Sequence, residues 1–253
     1  MKRIKIDRIR YGEEEFDKDY INWGFHDKKT QHKEAQSVIN LINSENSLQI
    51  LDIGCGIGTH AIYWAELGHE VVGMDISNTF IKKAKKTAKQ KNVSVNFLAS
   101  TIDDLDYEKE FDLIVSIEFF PDKPRWLTKI YNMLDENGKF IFDLRNPYHR
   151  EAKKKFKNIR TWKEKDGIFY LERHERNLNK NIQEDVWITI DTKKELIIEK
   201  TMESNLTTNK LHLFNNTEIL NKAGFNNINF KTMEGDLFTN GEEPLWLWCV
   251  ATK

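Results

Sequence analysis

Residues 49–75 read QILDIGCGIGTHAIYWAELGHEVVGMD. Gln49 to Ile53 is an apolar run of the kind that forms a buried strand. Gly54, Gly56 and Gly58 follow at alternate positions. Thr59 to Leu67 has helical spacing and stops at Gly68, a residue suited to ending a helix. Glu70 to Met74 is a second apolar run, closed by Asp75. Strand, glycine turn, helix and acid-tipped strand make the first unit of a nucleotide-type α/β fold.

Two glycine patterns overlap in this stretch. Gly56-Ile57-Gly58-Thr59-His60-Ala61 fits the dinucleotide fingerprint, and Gly54-x-Gly56-x-Gly58 with Asp52 upstream is a different one. Both use glycine to bring backbone close to a ligand. Asp52 separates them. A pyrophosphate on a helix N-terminus needs N–H groups and no nearby anion, so a carboxylate at the strand tip would repel it. S-adenosylmethionine carries an ammonium and a sulfonium and no phosphate, so the acid suits it. Asp75 lies where an acid can accept from ribose hydroxyls.

These residues resemble the first two motifs of the class I S-adenosylmethionine-dependent methyltransferases: LDIGCGIGTHAIYWAELG, then VVGMDIS. The resemblance continues through Phe111–Ser116, similar to the family's fourth strand, and Leu134–Phe142, similar to its turn and fifth strand. It resumes at Thr217–Phe225, before the last two strands, and so covers residues 46–147 and 212–252. It implies a Rossmann-like α/β fold: a mostly parallel seven-stranded sheet with helices on both faces, its last strand antiparallel. S-adenosyl-L-methionine is the implied cofactor and S-adenosyl-L-homocysteine the product. The implied cofactor contacts are Asp52, Gly54, Cys55, Gly56, Gly58, Asp75, Ile76 and Ser116, with Tyr20 from the N-terminal arm. The family usually has an acid after its third strand to bind the adenine amino group. Thr101 and Ile102 stand there instead, with Asp103 just beyond. Either Thr101 with the Ile102 N–H, or Asp103, takes that role.

Composition agrees with a large soluble domain. The chain has 253 residues, 39% hydrophobic and 31% charged, enough for a sizeable core. No apolar run approaches the ~20 residues of a membrane span. The N-terminus, MKRIKID, lacks the apolar stretch of a signal peptide. Two cysteines are too few for a disulfide framework or metal cluster, so a reducing cytoplasm is expected, with no metal. A net charge of −1 argues against a protein built mainly to hold nucleic acid. The expected state is a monomer or homodimer, with neither DNA nor membrane as partner.

Outside the motif, residues 28–43 predict a helix with Ala35, Val38, Ile39 and Ile42 on one face. Before it runs an aromatic arm, Phe16, Tyr20, Trp23 and Phe25, either packed on the core or serving as a lid. Asn78 to Lys91 predicts a helix with Ile81, Ala84 and Ala88 inward. Its lysines 82, 83, 85, 86 and 89 form a solvated face. Val93–Leu98, Asp112–Ser116 and Phe140–Leu144 predict further strands, and Pro124 opens a helix. From Phe156 the style changes. Ile159–Lys163, Ile168–Arg173, Asp185–Thr189 and Glu195–Met202 alternate with polar turns and predict an antiparallel meander. Thr217 is expected to cap the last helix, which Gly224 closes. The expected organisation is an arm and helix over residues 1–45, a cofactor-binding core over 46–150 and 210–253, and a β insertion over 151–209, which the resemblance implies covers the acceptor site. Small-molecule N-methyltransferases have this plan.

Methyl transfer is one in-line displacement, so positioning carries most of it and a base is needed only for a protonated acceptor. The candidates for that base are Glu118 after the fourth strand, Asp143 or Arg145 after the fifth, His174 on the insertion and His212 before the last helix, with Glu118 and Asp143 best placed. Residues 116–121 read SIEFFP, which is not the Asn/Asp-Pro-Pro-Tyr/Phe motif of enzymes methylating amino groups of DNA or glutamine. The expected activity is therefore methyl transfer to nitrogen or oxygen of a small molecule. The alternatives are an RNA or protein acceptor, or a nucleotide-binding protein of the same fold without catalysis.

Overall fold

The computed structural model describes residues 1–23, 28–146, 157–177, 182–205, 213–239, 241 and 244–253. In chain order its elements are β1 (Lys2–Asp7), α1 (Glu14–Trp23), α2 (Lys28–Ile42), β2 (Gln49–Ile53), α3 (Thr59–Glu66), β3 (Glu70–Asp75), α4 (Asn78–Lys91), β4 (Asn96–Ala99), a 3₁₀ turn (Ile102–Asp104), β5 (Phe111–Ser116), α5 (Pro124–Met133), β6 (Leu134–Arg145), β7 (Lys157–Lys165), β8 (Ile168–Asn177), β9 (Ile182–Asp191), β10 (Leu196–Asn205), α6 (Leu213–Ala223), β11 (Asn227–Lys231) and β12 (Trp246–Thr252). The chain divides into two compact units: residues 1–25 with 153–210, and residues 26–152 with 211–253.

The larger unit holds a seven-stranded sheet in the order β11-β12-β6-β5-β2-β3-β4. β2, β3, β4, β5 and β6 pair in parallel, while β12 runs antiparallel to both β6 and β11. The expected Rossmann-like sheet and its reversed last strand are both present. One core cluster contains Leu51, Ile53, Phe111, Ile114, Leu127, Ile130, Phe140 and Phe142. The other contains Ala35, Val38, Ile50, Ala61, Trp64, Ala84, Leu113, Val115 and Trp248. Alternate residues of β2 and β5 thus enter opposite clusters, as a sheet covered on both faces requires.

On α4 the residues Phe80, Ile81, Ala84 and Ala88 are buried, and the five lysines named above are exposed, as the spacing predicts. Ser77 caps the helix by accepting the Phe80 N–H at 3.0 Å. The turn expected within Leu134–Phe142 falls at Asn137-Gly138, inside β6. There the register against β5 jumps from Phe111↔Leu134 to Leu113↔Lys139, and Asn137 takes a φ of 63°. The last helix departs from expectation. α6 begins at Leu213, so Thr217 lies inside it and is not its N-cap. Adding residues to an existing helix costs less than starting one, and the earlier turn lengthens the helix that buries Leu220.

The smaller unit is a five-stranded sheet, β1-β10-β9-β8-β7. β7 to β10 form the antiparallel meander, with all four strands longer than the runs that predicted them. The β7–β8 turn is Asp166-Gly167, both at positive φ (56° and 79°), which matches strand twist in a two-residue hairpin. The fifth strand, β1, pairs in parallel with β10 and was not anticipated. α1 packs Phe16, Tyr20 and Trp23 against Trp187 of β9, with Trp23 and Trp187 stacked at 5.7 Å. Trp23 Nε1 donates to Thr189 Oγ1 at 3.1 Å. The arm is therefore helical up to Trp23 and grouped with the strand insertion, whereas α2 belongs to the larger unit. Phe25 lies outside the described residues.

Candidate functional site

β2 is the strand from which the chain crosses one way to β3 and β4, and from whose other side β5 and β6 continue. The strand C-termini at such a switch point border the crevice where open α/β sheets bind ligands. Asp52 and Ile53 end β2, Asp75 ends β3, Ser116 ends β5, and Asp143 lies two residues before the end of β6. The sheet brings these side chains to one edge.

The glycine turn is shaped by packing and by internal hydrogen bonds. Gly58 has a φ of 80°, and a Cβ there would stand 2.6 Å from Phe97 Cζ and 2.9 Å from Ala84 Cβ. It lets α3 begin hard against β4 and α4. Gly56 differs: its φ is 54°, and a Cβ would meet nothing within 4 Å. The N–H groups of Gly54 and Cys55 donate to the Met74 carbonyl at 2.8 and 2.9 Å. Gly58 N–H donates to Cys55 O at 2.9 Å, and Gly56 N–H to Asp75 Oδ2 at 3.0 Å. Four amides of the turn are thus spent inside the protein, where a phosphate cradle would present them outward. Burial raises the Cys55 thiol well above its ordinary value, so it is an inert filler of the turn.

Asp52 is 2% exposed, and its Oδ2 has no hydrogen-bond partner. Burial pushes its carboxyl up to about 6; Asp75 adds to this, and His60 and the Ala61 amide oppose it. A buried acceptor left unmade is costly unless a ligand completes it. Asp75 uses both oxygens, the second accepting the Ser77 N–H at 2.8 Å. Ile76, beside it, is 51% exposed.

The adenine candidates are engaged with neighbours. Thr101 Oγ1 donates to Asp104 Oδ2 at 2.6 Å in a capping box. Asp103 is held by Arg125 in a two-pronged pair at 3.0 and 2.7 Å, which keeps its carboxyl below the usual range. Ile102 is buried in the core. Ser116 is buried; its hydroxyl donates to the Phe119 carbonyl and lies 3.3 Å from the Ile53 carbonyl.

Glu118 is exposed with a φ of 59°, and its N–H donates to Asp143 Oδ1 at 2.6 Å. Asp143 is pushed up to about 7, chiefly by burial, with Glu118 and Glu34 adding to it. Tyr20 belongs to the smaller unit, where its ring meets Trp23 and Trp187. His212 lies outside the described residues. The sequence reading missed the pair His60–Glu34, whose Nε2 and Oε2 are 3.2 Å apart. His60 stands one residue into α3 and Glu34 one turn before Val38, so each is locally unremarkable. Among the described residues no group of three His, Cys, Asp or Glu side chains could hold a metal ion.

Residues 44–222 match the family model described as a methyltransferase domain. A ubiquinone biosynthesis O-methyltransferase of Rickettsia akari is 40% identical over 73 residues, 29% of each chain. A putative methyltransferase of Geobacillus is 26% identical over 121 residues, 45% of this chain and 49% of that one. The chain thus spans less than half the length of these relatives. Among solved structures, the CcbJ methyltransferase of Streptomyces caelestis superposes with a TM-score of 0.72, at 17% identity over 95% of this chain and 96% of that one. An S-adenosylmethionine-dependent methyltransferase of Clostridium acetobutylicum gives 0.69, at 15% identity over 92% and 95%. An S-adenosylmethionine-bound amino pentose methyltransferase of Micromonospora echinaspora gives 0.62, at 16% identity over 93% and 95%. These likenesses bear on the fold, while the family model covers most of the sequence. With its glycine turn, its acid-tipped strands and its seven-stranded sheet, the chain belongs to the class I S-adenosylmethionine-dependent methyltransferases.

Proposed function

We propose that the protein moves a methyl group from S-adenosylmethionine to nitrogen or oxygen of a small-molecule acceptor. The carrying observation is the orphaned, buried Oδ2 of Asp52 beside a glycine turn whose amides are spent internally. Such a site lacks what a diphosphate needs and offers an anion to a cationic ligand. When bound, the cofactor supplies a methyl group activated on a sulfonium.

The residues divide the work by chemistry. Asp52 meets the cofactor's ammonium, which would relieve the cost of its burial. Asp75, already fixed by two backbone N–H groups, accepts from ribose hydroxyls through its remaining lone pairs. The exposed Ile76 gives the adenine ring an apolar surface. Either Thr101 with the Ile102 N–H, or Asp103 beside Arg125, reads its edge. Glu118 takes the proton when the acceptor arrives protonated, its side chain being free to solvent at the end of β5.

Calorimetric titration with S-adenosylmethionine, S-adenosylhomocysteine and NADH tests this reading. Micromolar binding of the two sulfur nucleotides, lost in Asp52→Ala, supports it. Binding of NADH alone, or of none, overturns it.

A further inference from the structure

Asp143 has the strand-end placement of a general base, but its carboxylate is built into a turn. We propose that Asp143 is a positioning residue that fixes the turn after β5 so that Phe119 closes over the glycine turn at Gly54. The inference rests on the reading of that glycine turn as the cofactor site.

Four observations converge on it. Glu118 takes a left-handed backbone conformation, φ 59°, that is uncommon for a non-glycine residue. With it goes the 2.6 Å hydrogen bond from the Glu118 N–H to Asp143 Oδ1. The turn is held on its other side by Ser116, whose hydroxyl donates to the Phe119 carbonyl and lies 3.3 Å from the Ile53 carbonyl of the neighbouring strand. Phe119, aimed by this clamp, lies directly on Gly54: its Cβ, Cδ1 and Cγ are 3.3, 3.4 and 3.5 Å from where a Gly54 Cβ would stand. Its ring also meets Trp126 at 6.4 Å, yet the residue stays 40% exposed. A large apolar side chain held against the first glycine and left half in water is placed to contact what the glycine turn holds.

Asp143 is an acid among acids. Glu118 and Glu34 face it, and its own β-strand neighbours, Phe142 and Leu144, are buried in the core. A general base at this point would need its charge. A positioning residue needs only an oxygen that accepts the Glu118 N–H, which asparagine also carries. The two roles therefore separate in one substitution.

S-adenosylhomocysteine is the probe, titrated calorimetrically into the full chain and its variants. Asp143→Asn is expected to bind within about threefold of the unsubstituted protein, and Asp143→Ala about tenfold more weakly, as for loss of one hydrogen bond that holds the turn. Phe119→Ala is expected to lose about tenfold, and the double variant Asp143→Ala/Phe119→Ala no more than the worse single one, since both remove the same contact. Asparagine as weak as alanine, alanine as tight as the unsubstituted protein, or additive losses would each overturn the proposal. If Asp143→Ala does not fold, Asp143→Asn and Phe119→Ala decide alone: binding kept in the first and lost in the second supports it, and any other pattern overturns it. Failure of the unsubstituted protein to bind the probe would instead remove the cofactor reading on which the inference rests.

Discussion

Asp75 Oδ2 accepts the Gly56 N–H at 3.0 Å, so the acid that ends β3 fixes the centre of the glycine turn that follows β2. Its Oδ1 holds the Ser77 N–H at 2.8 Å and so sets the start of α4. One carboxylate thereby organises two loops of the site. Asp75→Ala frees two backbone donors and is expected to cost about 2–3 kcal/mol of stability. It should also weaken S-adenosylmethionine by more than tenfold, read by urea unfolding and calorimetry. Unchanged affinity would remove Asp75 from the cofactor site.

Asp52 sets stability against binding. Its carboxyl sits at about 6 when folded, against an ordinary 3.8. The folded state therefore holds the proton more tightly, and stability is lost as pH rises from about 4 through 6. At pH 7 the cost is full, about 3 kcal/mol at 1.36 kcal/mol per pH unit. Asp52→Asn is expected to unfold at higher urea concentration at pH 7, with the difference vanishing near pH 4. The same variant should bind S-adenosylmethionine at least tenfold more weakly, and the unsubstituted protein should lose affinity below pH 6 as Asp52 protonates. A variant both weaker in urea and unchanged in binding would refute this account.

Gly58 and Gly56 are expected to answer the same substitution differently. At Gly58 an alanine Cβ collides with Phe97 and Ala84, and at Gly56 it meets open space. Gly58→Ala should cost about 3 kcal/mol or more, from overpacking plus a left-handed backbone. Gly56→Ala carries only the backbone term, about 1–2 kcal/mol. If the space at Gly56 belongs to the cofactor, that milder variant loses affinity out of proportion to its stability. Thermal unfolding beside calorimetry separates the two effects.

In the smaller unit, Lys200 is buried on β10 and its Nζ lies 2.8 Å from Asp19 Oδ2 on α1. Asp19→Ala strands a buried ammonium and is expected to destabilise that unit by about 2–3 kcal/mol, seen as faster cleavage by a protease. Lys200→Met removes the charge with its partner's need for it and should be close to neutral. Equal sensitivity of both variants would show that the pair acts through packing alone.

The core of this protein was legible in the chain. The glycines, Asp52 and Asp75 are read from spacing because strand, turn and helix are local, and each demands particular residues at particular offsets. The meander was legible for the same reason: Asp166-Gly167 has the chemistry of a tight hairpin turn. Only the tertiary structure could join β1 to β10. Lys2–Asp7 is almost wholly exposed, with no burial pattern to announce it, and its partner is nearly two hundred residues away. Helix α6 begins before its expected cap because extension and packing outweigh a single capping preference. The partners of the site's acids were likewise invisible in the chain. Asp103 with Arg125, His60 with Glu34, and Asp143 with the Glu118 amide are 22, 26 and 25 residues apart and meet only across folded elements. Sequence names the ionisable groups. Folding decides which are buried, which are paired and which keep an unsatisfied oxygen, because desolvation and hydrogen-bond geometry are properties of the packed chain.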